Sequence, residues 1–182
     1  RLKLKIMKNY LLVLVFACFT TICMSQEVTF GVRGALNISN LDFDPDADFE
    51  NKHRNGFAFG GFVNFGLSED VSLLTELQWS AEGAKAESLR ADYIQLPILI
   101  RLSVSDRLTL GVGPQVALKT WENKDAFSTF AFSGVAGAEY MITDELFVDA
   151  RLSFGISNIL DQDLTDASAK NHVIQFGFGM KI

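Results

Sequence analysis

Cysteine is nearly absent from this chain. Of its 182 residues only two are cysteine, and both, Cys18 and Cys23, fall within the first 26 positions. The remainder can therefore form neither a disulfide nor a thiolate metal site. Proline is limited to Pro45, Pro97 and Pro114, and histidine to His53 and His172. Glycine pairs fall inside alternating segments and none opens a helix, which excludes a glycine-rich phosphate cradle. Basic residues are the minority charge, 16 against 22 acidic. A nucleic-acid partner is not expected from that balance.

What is present begins with a secretory pattern. Lys3, Lys5 and Lys8 precede an apolar stretch from Tyr10 to Phe19, and Ser25 stands near a cleavage point around Gln26. Residues 1–26 are read as a signal peptide that is removed, with Met7 as the natural start and 27–182 as one domain. The apolar stretch is about half the roughly 20 residues that a helical membrane span needs. Neither Phe16-Ala17 before Cys18 nor Thr21-Ile22 before Cys23 fits a lipid-attachment motif. The first 26 residues hold four of the 16 basic residues and none of the 22 acidic ones, so the domain left behind carries a net charge of −10.

From Val28 onward the sequence alternates with period two, which predicts strands. Eight segments follow: Val28–Ser39, Asn55–Leu67, Val71–Gly83, Asp92–Val104, Arg107–Lys119, Ser128–Ile142, Glu145–Ser157 and Asn171–Ile182. Each is long for a soluble strand and long enough to cross a bilayer at a tilt. Short polar turns (Ser68-Glu69-Asp70, Ser105-Asp106, Thr143-Asp144) alternate with longer connections at Asn40–Arg54, Ala84–Ala91, Thr120–Phe127 and Asn158–Lys170. Short turns at one end and long loops at the other predict an all-β fold, a closed eight-stranded antiparallel up-and-down transmembrane barrel of the OmpA/OmpX-like kind.

The two faces of each segment separate the environments. The fifth places Leu108, Leu110, Val112, Pro114, Val116 and Leu118 on one side, with Arg107, Thr109, Gly111, Gly113, Gln115 and Lys119 on the other. A soluble barrel would crowd its polar face with Lys and Glu. Here that face is mostly Gly, Ser, Ala, Asn and Gln with one or two charges per strand, which suits a narrow interior. The interior charges have both signs: Arg33, Arg101, Arg151 and Lys181 against Glu76, Glu82, Glu139 and Asp149. Buried charges need partners, so a cross-barrel network filling the lumen is expected, with Glu76, Arg101, Glu139 and Arg151 near mid-height.

Phe57, Phe59, Trp79, Phe130 and Phe132 are expected outside near the long-loop end, and Phe65 and Tyr140 outside near the short-turn end, where interfacial aromatics belong. Pro97 falls on the inward phase and Pro114 on the outward phase of neighbouring strands. Each deletes a ladder hydrogen bond, and local bulges are expected there.

The candidates for chemistry are sparse. Asp42, Asp44, Asp46, Asp48 and Glu50 alternate in the first long connection in the manner of a calcium loop, but Ala47 stands where such a loop has Gly and His53 where it ends in Glu. Asp42, Asp44, Asp46 and Asp48 are at best a weak cation site, and a solvated acidic loop is the default. Asp161, Asp163 and Asp166 repeat the theme in the last connection. His53 and His172 lie at the long-loop end with Asp125 and Ser128, and nothing in the sequence fixes them in one catalytic site. No catalytic residue and no cofactor is assigned.

Three stretches carry a resemblance. Phe30-Gly31-Val32-Arg33-Gly34-Ala35-Leu36-Asn37-Ile38-Ser39 is similar to the first strand, and Tyr93-Ile94-Gln95-Leu96-Pro97-Ile98-Leu99-Ile100-Arg101 to the fourth strand, of the PorT-like outer-membrane β-barrel family. Gly111-Val112-Gly113-Pro114 resembles its fifth, and Gly134 to Asn158 its final hairpin. The resemblance implies a Gram-negative outer-membrane barrel of the porin-family type, some members of which assist secretion and gliding machinery. The expected role is non-enzymatic, in envelope structure, adhesion or secretion-machinery support. The alternatives are a narrow channel for small solutes and a lipid-modifying enzyme. Expected partners are outer-membrane lipid and lipopolysaccharide, the barrel-assembly machinery during insertion, and envelope or secretion-system proteins.

Overall fold

The computed structural model describes residues 27–44, 52–120, 128–160 and 168–182. The expected signal segment, and Asp46, Asp48, Asp125, Asp161, Asp163 and Asp166, lie outside the described residues. Eight strands form: β1 (Val28–Asp44), β2 (Arg54–Gly66), β3 (Val71–Gly83), β4 (Arg90–Ser103), β5 (Leu108–Lys119), β6 (Phe130–Met141), β7 (Leu146–Gly155) and β8 (Ser168–Lys181). Each pairs antiparallel with its sequence neighbours, and β8 closes on β1, so the sheet is a barrel without an edge.

Three of the connections share one design. Leu67–Asp70, Val104–Arg107 and Ile142–Glu145 each begin with an aliphatic residue followed by Ser or Thr and then an acid. In each, the hydroxyl oxygen accepts the backbone N–H three residues on: Ser68 from Val71 at 3.1 Å, Ser105 from Leu108 at 3.1 Å and Thr143 from Leu146 at 3.0 Å. Ser and Thr provide this local acceptor, which is why these short turns need no glycine.

The other end differs from expectation. β1 continues five residues past Ser39, and β8 begins three residues before Asn171; the two stay paired up to Asp44↔Ser168. Asn40–Asp44 and Ser168–Lys170 are therefore strand, not loop. The acids misled because the facing pattern inverts there. Up to Ile38 the exposed side of β1 is apolar and the buried side includes Arg33 and Asn37; beyond it Asn40, Asp42 and Asp44 face out while Leu41 is buried. On β4 the same change separates Arg90 and exposed Ile94, and on β8 it separates exposed Lys170 and exposed Ile174.

Below this line the wall is an apolar belt in which Leu36, Leu77, Ile100, Val112, Phe154 and Phe176 are all exposed. Ten residue steps from Val28 to Ile38 at about 3.3 Å each, tilted by about 40°, span roughly 25 Å, the height of a lipid-facing barrel band. Phe57, Phe59, Phe130 and Phe132 are exposed near the outer end, with Trp79 packed 5.2 Å from Phe57 and 5.6 Å from Phe59 between ring centres. Tyr140 is exposed at the short-turn end.

The prolines interrupt pairing without shifting it. Around Pro97 the β3–β4 ladder runs from Thr75↔Ile98 to Gln78↔Gln95 at one constant offset, and the β4–β5 ladder from Pro97↔Gln115 to Ile100↔Val112 does likewise. A bulge would change that offset by one, so the bulges expected at Pro97 and Pro114 are absent. The offset changes instead between Ala58↔Ser80 and His53↔Ala84, where β2 holds one extra residue at the outer rim.

Candidate functional site: the lumen

Inward side chains fill the barrel in layers. At the short-turn end Phe62, Leu74, Leu99, Val135 and Phe147 form a buried apolar plug against which Met141 packs. The Phe62 and Phe147 rings meet edge to face at 5.8 Å. The Lys181 ammonium lies 5.9 Å above the Phe147 ring and 3.0 Å from Glu139 Oε1, which Arg101 Nη2 also approaches to 2.6 Å.

Next to it lies the main charge network. Arg33 donates from Nε and Nη2 to the two oxygens of Asp149, both at 2.6 Å. Arg151 Nη1 donates to Glu76 Oε2 at 2.6 Å, and Arg33 Nη1 stands 3.7 Å from Glu76 Oε1. These groups are nearly sealed from solvent, where an unpaired charge would cost several kcal/mol.

Glu82 stands apart from this network. Its carboxylate accepts from Ser80 Oγ and Gln95 Nε2 at 2.7 Å each and from Asn171 Nδ2 at 2.6 Å. The Gln95 carbonyl oxygen accepts from Gln78 Nε2 at 2.7 Å, and the Gln78 carbonyl oxygen accepts from Arg33 Nη1 at 3.3 Å. Two glutamine amides, aligned head to tail, thus connect a guanidinium to a carboxylate that no cationic side chain touches among the described residues. Gln78 and Gln95 were not singled out in the sequence; both stand on the inward phase, which is the signal that finds them.

Above Glu82 the lumen turns apolar again. Leu41, Tyr93, Ile159, Leu160 and the alanines at 84, 91, 117, 131 and 169 pack into a cap, joined by Phe43 and Leu89. The strap holding Ile159 and Leu160 is anchored: Asn158 Oδ1 accepts the N–H groups of Leu160 and Ala169 at 3.0 and 2.8 Å.

All eight inward charges named from the sequence thus line the lumen, in three groups: Arg33, Asp149, Arg151 and Glu76; Arg101, Glu139 and Lys181; and Glu82. Of the four cation candidates only Asp42 and Asp44 are among the described residues. Asp42 and Asp44 project outward from a strand rather than converging in a loop; Asp42 pairs across from Lys170 and stands 3.8 Å from His172 Nε2. Among the described residues no group of three or more His, Cys, Asp or Glu could hold a metal ion. Among the described residues the histidines do not meet a nucleophile either. His53 bridges Ala84, His172 packs against Phe154 at 6.0 Å, and the Ser128 hydroxyl donates to the Leu160 carbonyl at 3.1 Å.

Similar barrels are known. Neisserial surface protein A superposes with a TM-score of 0.58 at 12% identity, over 86% of this chain and 99% of that one. Ail, the attachment invasion locus protein of Yersinia pestis, superposes with a TM-score of 0.53 at 14% identity, over 87% of this chain and all of that one (100%). At these identities the likeness is one of fold. No protein of curated function matches the sequence. The family model for the outer membrane protein beta-barrel domain matches residues 11–181. The chain belongs to that family, and its place is the Gram-negative outer membrane.

Proposed function

We propose that the protein is a non-enzymatic, non-conducting barrel that works through the parts standing outside the hydrocarbon, in envelope structure, adhesion or support of a secretion apparatus such as PorT-like barrels assist. The observation that carries this reading is the filled lumen. Apolar side chains close it at both ends, and the charged groups between them engage one another. Such a lumen supports no steady solute path and leaves no interior cleft for a substrate. Lipid and lipopolysaccharide surround the belt in this reading, and the barrel-assembly machinery inserts it.

The contact surface is the outer extension of β1 and β8. It is a paired ribbon that turns Asn40, Asp42, Lys170 and His172 toward the medium on a rigid base. Two experiments test the proposal. In planar bilayers the purified protein is expected to give no steady open events, and sustained openings would overturn the non-conducting reading. Crosslinking in intact envelopes is expected to capture a partner that is lost when Asn40 and Asp42 are replaced by Ser, Lys170 by Gln and His172 by Thr. Retention of every partner in that variant would defeat the ribbon as the contact surface.

A further inference from the structure

Three of the four buried acids touch a guanidinium at 2.6 Å: Asp149 meets Arg33, Glu76 meets Arg151 and Glu139 meets Arg101. Glu82 is the exception. Its side chain is sealed in the lumen, and its carboxylate receives only the neutral donors of Ser80, Gln95 and Asn171. Arg54 Nη1 donates to the Glu82 backbone carbonyl at 2.5 Å and to Asp92 at 3.0 Å, so its charge is already matched. A buried carboxylate without a counter-charge is strongly destabilising, and this end of the lumen is short of one positive charge.

A second observation falls at the same place. Asn37 Oδ1, Asn171 Oδ1 and the Tyr93 hydroxyl lack a hydrogen-bond partner among the described residues, although these residues are only 1%, 7% and 1% exposed. All three surround the carboxylate. Asn37 Nδ2 donates to Ser80 Oγ at 2.9 Å, and that hydroxyl donates in turn to Glu82 Oε1; Asn171 Nδ2 donates to Glu82 Oε2. Tyr93 stands directly across from Ser80 on the β3–β4 ladder and interacts electrostatically with Glu82. An amide oxygen lies roughly 2.3 Å from its own nitrogen, which keeps Asn171 Oδ1 within about 5 Å of Glu82 Oε2 and Asn37 Oδ1 within about 5 Å of Ser80 Oγ. Two oxygens bound to one hard cation at roughly 2.3–2.6 Å stand up to about 5 Å apart. Neither amide can turn over: Asn37 Nδ2 also faces the Ala81 carbonyl at 3.1 Å and Asn171 Nδ2 faces a carboxylate, and both of those groups only accept.

We infer that Glu82, Asn37, Asn171 and Tyr93 hold one alkali-metal cation inside the barrel, beneath the apolar cap. The unpartnered amide oxygens are acceptors, so the site rejects an anion. All four ligands are hard oxygens, which suits an alkali or alkaline-earth ion and not a transition metal. One carboxylate balances one charge, which selects the monovalent ion. A water molecule would satisfy the amide oxygens and leave the carboxylate unneutralised. The cap above and the guanidiniums below keep the ion in place, so it is bound and not conducted.

Urea unfolding tests the site, with protein purified from the outer membrane and refolded into lipid vesicles in sodium, potassium or N-methylglucamine chloride at equal ionic strength. N-methylglucamine is too large to enter. At fixed urea the folded-to-unfolded ratio should be at least about tenfold higher in one of the alkali salts than in N-methylglucamine chloride. Tyr93→Phe removes one ligand with little change of shape and should raise the alkali concentration giving half the effect at least about threefold. Glu82→Gln should abolish the dependence, whereas Asp42→Asn with Asp44→Asn, on the outward face, should leave it intact. Crystals of the wild type grown in thallium(I) acetate should show an anomalous peak beside Glu82, a measurement that needs no variant to fold. Equal stability of the wild type in all three salts would overturn the ion and give the unpartnered atoms to water. A dependence that survives Glu82→Gln, or a thallium peak found only at surface acids, would overturn the site.

Discussion

Arg33 and Asp149 form a two-pronged ion pair over an intervening strand: the Nε–Oδ2 and Nη2–Oδ1 distances are both 2.6 Å, from β1 and β7, with β8 between them. Gly177 of β8 lies beneath, where a Cβ would stand 2.5 Å from Asp149 Oδ1 and 2.8 Å from Arg33 Nη2. The pair exists because that position carries no side chain.

Asp149→Ala removes both short contacts of the buried Arg33 and leaves it only Glu76 at 3.7 Å as a counter-charge, so it is expected to lower unfolding free energy by about 3 kcal/mol, whereas Arg33→Met with Asp149→Leu should recover much of the loss. Urea titration in lipid vesicles measures both. A single variant as stable as wild type would show the pair to be energetically idle.

Gln95→Leu should cost about 1–3 kcal/mol, because it removes one donor to Glu82 and the acceptor of Gln78 while leaving both groups buried. The same titration reads it. Pairing it with Glu82→Leu should reduce the combined loss below the sum of the two, since the groups act as one chain.

The repeated turns make an additive prediction. Ser68→Ala, Ser105→Ala and Thr143→Ala each delete one side-chain acceptor and should each cost about 0.5–1.5 kcal/mol. They lie on separate hairpins, so the triple variant should show the sum. A triple variant no worse than one single would mean that the hydroxyls are not what fixes these turns.

Much of this fold was legible in the sequence, and the places where it was not share a physical reason. Period two together with uncharged faces located every transmembrane strand and sorted Arg33, Glu76, Arg101 and Arg151 inward. The apolar plug was missed because an interior was expected to be polar. Its signal is present nonetheless as consecutive apolar residues, Leu73-Leu74, Ile98-Leu99-Ile100 and Leu146-Phe147-Val148, in which Leu74, Leu99 and Phe147 are buried in the plug while Ile100 and Val148 face lipid. Asn40–Asp44 was misread because outward acids were equated with a loop. The Gln78–Gln95 link was not foreseen, since it depends on the β3–β4 register that sets the two residues directly opposite each other.

The lipid face offers a depth-dependent test. Val112, exposed in the middle of the belt, should tolerate Arg poorly, at about 2–4 kcal/mol, while Leu67→Arg beside a turn should cost about 0–1 kcal/mol. Equal costs at the two sites would contradict the assigned belt.

The reversal of facing along β1, β4 and β8 has a mechanical consequence. With carboxylates and ammonium groups flaring outward at the far side and acidic hairpins at the near side, the cylinder is held like a rivet between two heads. Sliding it a few ångströms either way would drag charge into oil, so its vertical position is fixed by the chain itself and requires no anchor.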